Sequence, residues 1–186
     1  MSMDNNTEVT PTPKGWSALS KNTKIVLVAV AVIIALAISG GSSSSNNTTS
    51  TTPDTSYTPT TISVSEQYSS WKSSFSPVFS TLITDYTQTT TDLGNGDMAS
   101  SRIDFVSLSQ DAIDISSYAN SPDDNLNTIV AQLAVDLGIL AGEGTQSLNN
   151  IDMGGSPTQG FYDACTSIGN DIAALNSALD TANATY

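Results

Sequence analysis

The chain has 186 residues, no histidine, one cysteine and a formal net charge of −13 at pH 7. A single cysteine excludes an internal disulfide, and the usual zinc, copper and non-haem iron sites, which lean on His or Cys, find almost no ligands. Charge is also lopsided: residues 1–24 carry Asp4 and Glu8 against Lys14, Lys21 and Lys24, whereas sixteen acids face only Lys72 and Arg102 beyond residue 38. Such a segment repels nucleic acid and anionic lipid and attracts cations or basic partners, so no nucleic-acid partner is expected.

Residues 1–24 read as a short cytoplasmic tail. Residues 25–39 read as a transmembrane anchor or the hydrophobic core of a signal peptide. Ile25 to Ile38, IVLVAVAVIIALAI, is fourteen residues without a polar side chain. As a helix it spans roughly 21 Å, short of a hydrocarbon core of about 30 Å. Snorkelling by Lys21 and Lys24 and an interfacial Trp16 extend its reach. Lysines before it and none close behind place the N-terminus inside and the C-terminus outside. Cleavage is the rival reading, because Ala35-x-Ala37 and Ala37-x-Ser39 both suit a signal peptidase. Either way the bulk of the chain is exported. The expected localisation is the cell membrane, single-pass with the C-terminal domain outside; secretion is the alternative.

Residues 40–61, reading GGSSSSNNTTSTTPDTSYTPTT over most of their length, form a Ser/Thr/Asn-rich stalk. They hold too little apolar surface to offset ordering entropy and are expected to be disordered. Asn46, Asn47 and Asn183 each begin an Asn-x-Thr sequon.

Residues 62–186 read as an extracytoplasmic helical domain. Ser63-x-x-Glu66 is a capping-box start. Tyr68, Trp71, Phe75, Phe79, Leu82, Tyr86 and Leu93 then recur at helical spacing. Pro77 is expected to kink this first helix, or to split it with Ser76 capping a second piece. Gly94-Asn95-Gly96 ends it, and Asp97 caps the next helix, whose weaker stripe is Met98, Phe105 or Val106, Ala112, Ile113 and Ala119. Ser121-Pro122-Asp123-Asp124 announces a third helix, with Ser121 as cap and Pro122 first. That helix carries Leu126, Val130, Leu133, Leu137, Leu140 and Leu148, and Asn149 to Gly155 breaks it. Ser156-Pro157-Thr158-Gln159 opens a fourth, with Gln159 completing a capping box. Its seam, Phe161, Cys165, Ile168, Ile172, Leu175, Leu179 and Ala182, keeps a heptad spacing. The expected fold is all-α, an antiparallel up-down-up-down four-helix bundle.

The order Trp71, Asp85, Gly96-Asp97, Leu108-x-x-Asp111, Ser121-Pro122-Asp123, Phe161 and Asp171-x-x-x-Leu175 resembles small exported helical proteins common in actinobacteria. Those have an inside tail, one hydrophobic segment, a Ser/Thr-rich linker and a helical domain. The resemblance spans residues 66–182 and implies that architecture and no particular activity. Many such proteins carry a cysteine pair between two central helices; Ser107 and Gly144 stand near those places here.

Several constellations are candidate sites. Cys165 sits on an apolar seam with no His to activate it and reads as a core residue. Carboxylates recur seven apart at Asp85/Asp92, Asp104/Asp111 and Asp136/Glu143. The ladder is imitated equally well by solvated flanks of the stripes, and bundle metal sites of the Glu-x-x-His kind are absent. Asn150-x-Asp152-x-Gly154-Gly155 begins like a calcium loop, but its twelfth position is Phe161. Tyr68, Trp71 and Phe75 could form an aromatic patch, yet share one stripe and read as core. Phosphate loops and nucleophile elbows are missing. No catalytic, cofactor-binding or metal residue is assigned and no cofactor is expected.

The function this supports is a non-catalytic binding or structural module at the cell surface. Its expected partners are the membrane, through one N-terminal helix, and an envelope protein or small ligand. A secreted ligand-binding or sensor-accessory bundle is the alternative. A carboxylate-based hydrolase, with acids distant in the chain brought together, is the third reading.

Overall fold

The computed structural model describes residues 62–186; the tail, anchor and stalk readings for residues 1–24, 25–39 and 40–61 lie outside them. The described residues are all-helical and hold no strand: α1 Val64–Asn95, α2 Met98–Ser116, α3 Asp124–Asp152 and α4 Gln159–Thr185. Each packs on the next, α1 on α2, α2 on α3 and α3 on α4.

The starts follow the cap chemistry. Ser63 accepts from the Glu66 amide at 3.2 Å while the Glu66 carboxylate accepts from the Ser63 amide at 2.9 Å, the reciprocal box the sequence announces. Gly96 ends α1 at φ 74°, a left-handed conformation that glycine adopts without strain. Asp97 then caps α2 through the Ser100 amide.

Three expectations need correction. Pro77 neither splits nor ends α1, which runs unbroken for 32 residues. Ser76, instead of capping, donates its hydroxyl to the Lys72 carbonyl at 2.7 Å. Pro77 and its neighbours Ser73 and Ser74 lie on the exposed face, so the carbonyl that loses its proline donor opens onto water. The cap of α3 is Asp123, accepting from Leu126, and not Ser121; Ser121 instead folds the preceding turn by accepting from the Asp123 amide. The cap of α4 is Thr158, accepting from Phe161, so Gln159 is the first helical residue and bonds Asp163 rather than closing a box.

The core is one apolar cluster drawn from all four helices. The stripes of α1, α3 and α4 supply it nearly as expected, with Phe79 and Leu179 at its margin. On α2 the buried residues are Phe105, Leu108, Ala112 and Ile115, while Val106 and Ile113 point to solvent. Close approach of α2 to α3 explains Gly144: a Cβ there would lie 2.3 Å from the Phe105 ring. The space that a cysteine at 144 would need is therefore filled.

Side chains join α1 to α4 at one end. Tyr68 and Lys72 both donate to Asn183 Oδ1, at 2.9 and 2.7 Å, and Ser65 donates to the Tyr186 carbonyl at 2.6 Å. Among the described residues only α3 is long and apolar enough to cross a membrane, and its leucines face the core.

Candidate functional site

Two acidic seams run between neighbouring helices. On α1, Asp85, Thr89 and Asp92 fall four and three residues apart, one flank of the helix. On α2, Asp104 and Asp111 are two turns apart and share a flank likewise. The structure turns these flanks toward each other. Asp104 meets Asp92 within hydrogen-bonding reach and also feels Asp85 and Asp97; Asp111 feels Asp85 and Asp114. The second seam is between α3 and α4, where Asp136 stands within hydrogen-bonding reach of Asp171.

Buried carboxylates without a cation must hold their protons more tightly, because water no longer stabilises the charge. Burial, reinforced by the Asp92 charge and hydrogen bond, pushes Asp104 up to about 6. Burial with Asp85 and Asp114 does the same to Asp111, also to about 6. Asp171 rises to about 6 through burial and the hydrogen bond and charge of Asp136. In each of the three one carboxyl oxygen, Oδ2, is buried with no partner. Asp111 is the extreme case, 4% exposed in a helix interface.

The two cations among the described residues are engaged elsewhere. Arg102 reaches from α2 to α3, donating to Asn149 Oδ1 at 2.9 Å and pairing with Asp152 at 2.5 Å. Lys72 bonds Asn183. Asn149 to Asp152 thus belong to the last turn of α3, and Asp152 serves an interhelical ion pair rather than a loop.

Sequence spacing found half of this arrangement. It named Asp85, Asp92, Asp104 and Asp111, but as two separate ladders; the structure interleaves them. It noted the spacing of Asp136 and Glu143, and the structure gives the two different partners on α4. Glu143 accepts from the Thr158 hydroxyl at 2.6 Å, tying α3 to the cap of α4, while Asp136 faces Asp171. Asp171 was missed as a site residue. Its signal is its place midway between Ala164 and Ala178, seven residues from each, both of which are buried.

Chemically, each seam can hold a shared proton in mild acid. Acid–base work on a substrate needs access too, which buried Asp111 lacks, while Asp104 and Asp171 are half-buried. Among the described residues, a groove of about 540 Å³ opens elsewhere, between the start of α1 and the α2–α3 turn, lined by Glu66, Gln67, Trp71, Tyr118 and Asn120. Its carboxylate, Glu66, is held below the usual range by the backbone and hydroxyl of Ser63 and already completes the cap. Its aromatic, Trp71, stacks on Phe75 at 4.8 Å and donates its indole N–H to the Tyr118 carbonyl. Tyr68, Trp71 and Phe75 are therefore core, as their stripe implies. Cys165 is core too: burial pushes its thiol up to about 12, far from a reactive thiolate. Among the described residues no three His, Cys, Asp or Glu side chains converge as a metal ion would need.

With this geometry in view, neither a protein-family model, nor a curated protein, nor a solved structure matches the chain.

Proposed function

We propose that the chain is a membrane-tethered, non-catalytic helical module displayed outside the cell, its domain an antiparallel up-down-up-down bundle. One observation carries the reading: three lysines precede a fourteen-residue apolar run, and an acidic chain with almost no cations follows it. The bundle topology is supported by contacts between opposite helix ends. Trp71 near the start of α1 bonds Tyr118 just past α2, Arg102 near the start of α2 pairs with Asp152 at the end of α3, and Thr158 at the start of α4 bonds Glu143 late in α3. Tyr68 and Asn183 join the start of α1 to the end of α4. A stalk entering at residue 62 would thus hang the bundle from one end and leave its long sides free.

The non-catalytic part rests on a separation. The carboxylates with raised proton affinity lie in helix seams, and none of them lines the groove between the start of α1 and the α2–α3 turn. Protease added to intact host cells tests the display. Loss of the 62–186 fragment from the cells, with residues 1–24 protected, is expected; a fully protected chain overturns the reading.

A further inference from the structure

The two halves of α1 are held in different ways. Side-chain donors cross from α1 to the rest of the bundle only in its first half. Ser65 donates to the Tyr186 carbonyl, Tyr68 and Lys72 donate to Asn183 Oδ1, and Trp71 donates its indole N–H to the Tyr118 carbonyl. Beyond Pro77 the pattern changes. The hydroxyls of Thr81, Thr84, Thr87, Thr89, Thr90 and Thr91 all donate to carbonyls of α1 itself. No Cα of α1 comes within 8 Å of one on α4 or α3, so α2 is the one helix that residues 78–95 approach closely.

That approach is the acidic seam. Asp85 and Asp92 of α1 face Asp104 and Asp111 of α2, with Asp97 in the turn and Asp114, bonded by Gln110, beside them. Among the described residues, α3 and α4 bring no charged group to Asp104 or Asp111, and Arg102 is turned toward Asp152. Three buried polar atoms without a partner lie on these two helices: the Tyr86 hydroxyl and one oxygen each of Asp104 and Asp111. Two carboxyl groups within hydrogen-bonding reach attract only while one of them keeps its proton. Once both ionise, the same contact repels. The polar fastening of this half of α1 is therefore a proton.

The segment also has two points at which it can part from its neighbours. Pro77 has no amide to bond the Ser73 carbonyl, so the helix lacks a rung there. At the other end Gly96 turns the chain at φ 74°. We infer that residues 78–95 form an acid-latched arm, closed on α2 in mildly acid medium and released at neutral pH, while residues 64–76 stay clasped to α4 and to the α2–α3 turn. The direction follows from proton affinity: the closed seam binds protons more tightly than the open one, so acid favours closure. Moving one carboxyl from 3.8 to about 6, as at Asp111, makes opening about tenfold more favourable at pH 7.5 than at pH 5. Half-buried Asp104 acts in the same direction. Release uncovers the apolar underside of the arm, Leu82, Ile83 and Tyr86. The inference does not depend on how the chain is anchored.

Hydrogen exchange read by mass spectrometry on the purified full chain in mild detergent, corrected for the intrinsic rate at each pH, tests it. Protection of residues 78–95 should fall by about tenfold or more from pH 5 to pH 7.5. At pH 7.5 it should stand below that of residues 64–76 and of α3. Asp111→Asn should raise protection of residues 78–95 at pH 7.5 by about tenfold, and Asp104→Asn should act in the same direction. Asp171→Asn, the matching change in the α3–α4 seam, should leave the arm unchanged, because that seam stays closed when the arm opens. If all four helices share one protection and respond alike to pH, the domain opens only as a whole and the proposal is overturned. Protection of residues 78–95 that is independent of pH, or raised equally by Asp171→Asn and Asp111→Asn, overturns it as well.

Discussion

Replacing Asp111 by Asn should stabilise the domain at neutral pH and lose that advantage in acid. Asp111 is 4% exposed, has an unpartnered carboxyl oxygen, and faces Asp85 and Asp114 with no cation near. Its proton affinity is raised from an ordinary 3.8 to about 6. The folded state therefore binds the proton more tightly than the unfolded chain does, and stability falls as pH rises from about 4 to about 6. Above that window the ionised side chain costs up to about 3 kcal/mol, the free-energy equivalent of roughly two pK units. Asn carries no charge to bury, and its amide can donate to Asp85. Part of the gain is lost because the amide is itself desolvated, leaving roughly 1–3 kcal/mol at pH 7.5 and near zero at pH 3.5. Urea unfolding of residues 62–186, followed by far-ultraviolet circular dichroism at several pH values, measures it. A difference independent of pH, or a destabilisation largest at neutral pH, would refute the argument from a buried unpaired carboxylate.

The parent domain itself should be most stable near about pH 4–5, because Asp104, Asp111 and Asp171 favour acid while the depressed Glu66 and Asp97 caps weaken once protonated. A stability maximum at pH 7 or above would contradict it. Tyr86→Phe removes a buried hydroxyl that has no partner and should be neutral or stabilising by up to about 1 kcal/mol; a loss above about 2 kcal/mol would mean the hydroxyl is bonded. Gly144→Ala drives a methyl to within 2.3 Å of Phe105 and should cost about 1–3 kcal/mol, with Gly138→Ala, in open space, as the stabilising control. Thr158→Val deletes the α4 cap and the link to Glu143 together and should cost about 1–2 kcal/mol in the same unfolding assay.

How much of this was legible in the sequence depended on how local each signal is. The stripes of α1, α3 and α4 are long and regular, and their large buried residues were mostly named, while Ile83, Ile151 and the small ones, such as Ala134, Ala141, Ala164 and Ala178, were not. The box at Ser63 and Glu66 and the turn at Gly96 are decided within four residues, and both stand. Of the two expectations for Pro77, the split fails, because the rule that proline ends helices assumes its orphaned carbonyl has nowhere to go, whereas here Pro77 lies on the exposed face. Caps two residues from their expected places, at Asp123 and Thr158, reflect Ser-Pro-Asp and Ser-Pro-Thr runs offering two capping side chains each. The stripe of α2 was half right, with Phe105 and Ala112 in the core and Ile113 outside it, for a different reason. This helix carries apolar residues on two faces, so Val106 competed with Phe105 and Ile113 with Ala112, and periodicity could not say which face meets the core. The acidic seams needed tertiary information. Spacing placed the carboxylates on flanks, but only the packing of α1 on α2 and α3 on α4 decided which flanks meet.

The tether remains the centre of the account, and intact mass with N-terminal sequence of the native protein, from membrane and medium separately, tests it most directly. A full-length species confined to the membrane and beginning near Met1 is the predicted result. A soluble species in the medium beginning near Ile38 or Gly40 would contradict it and make the domain a secreted one.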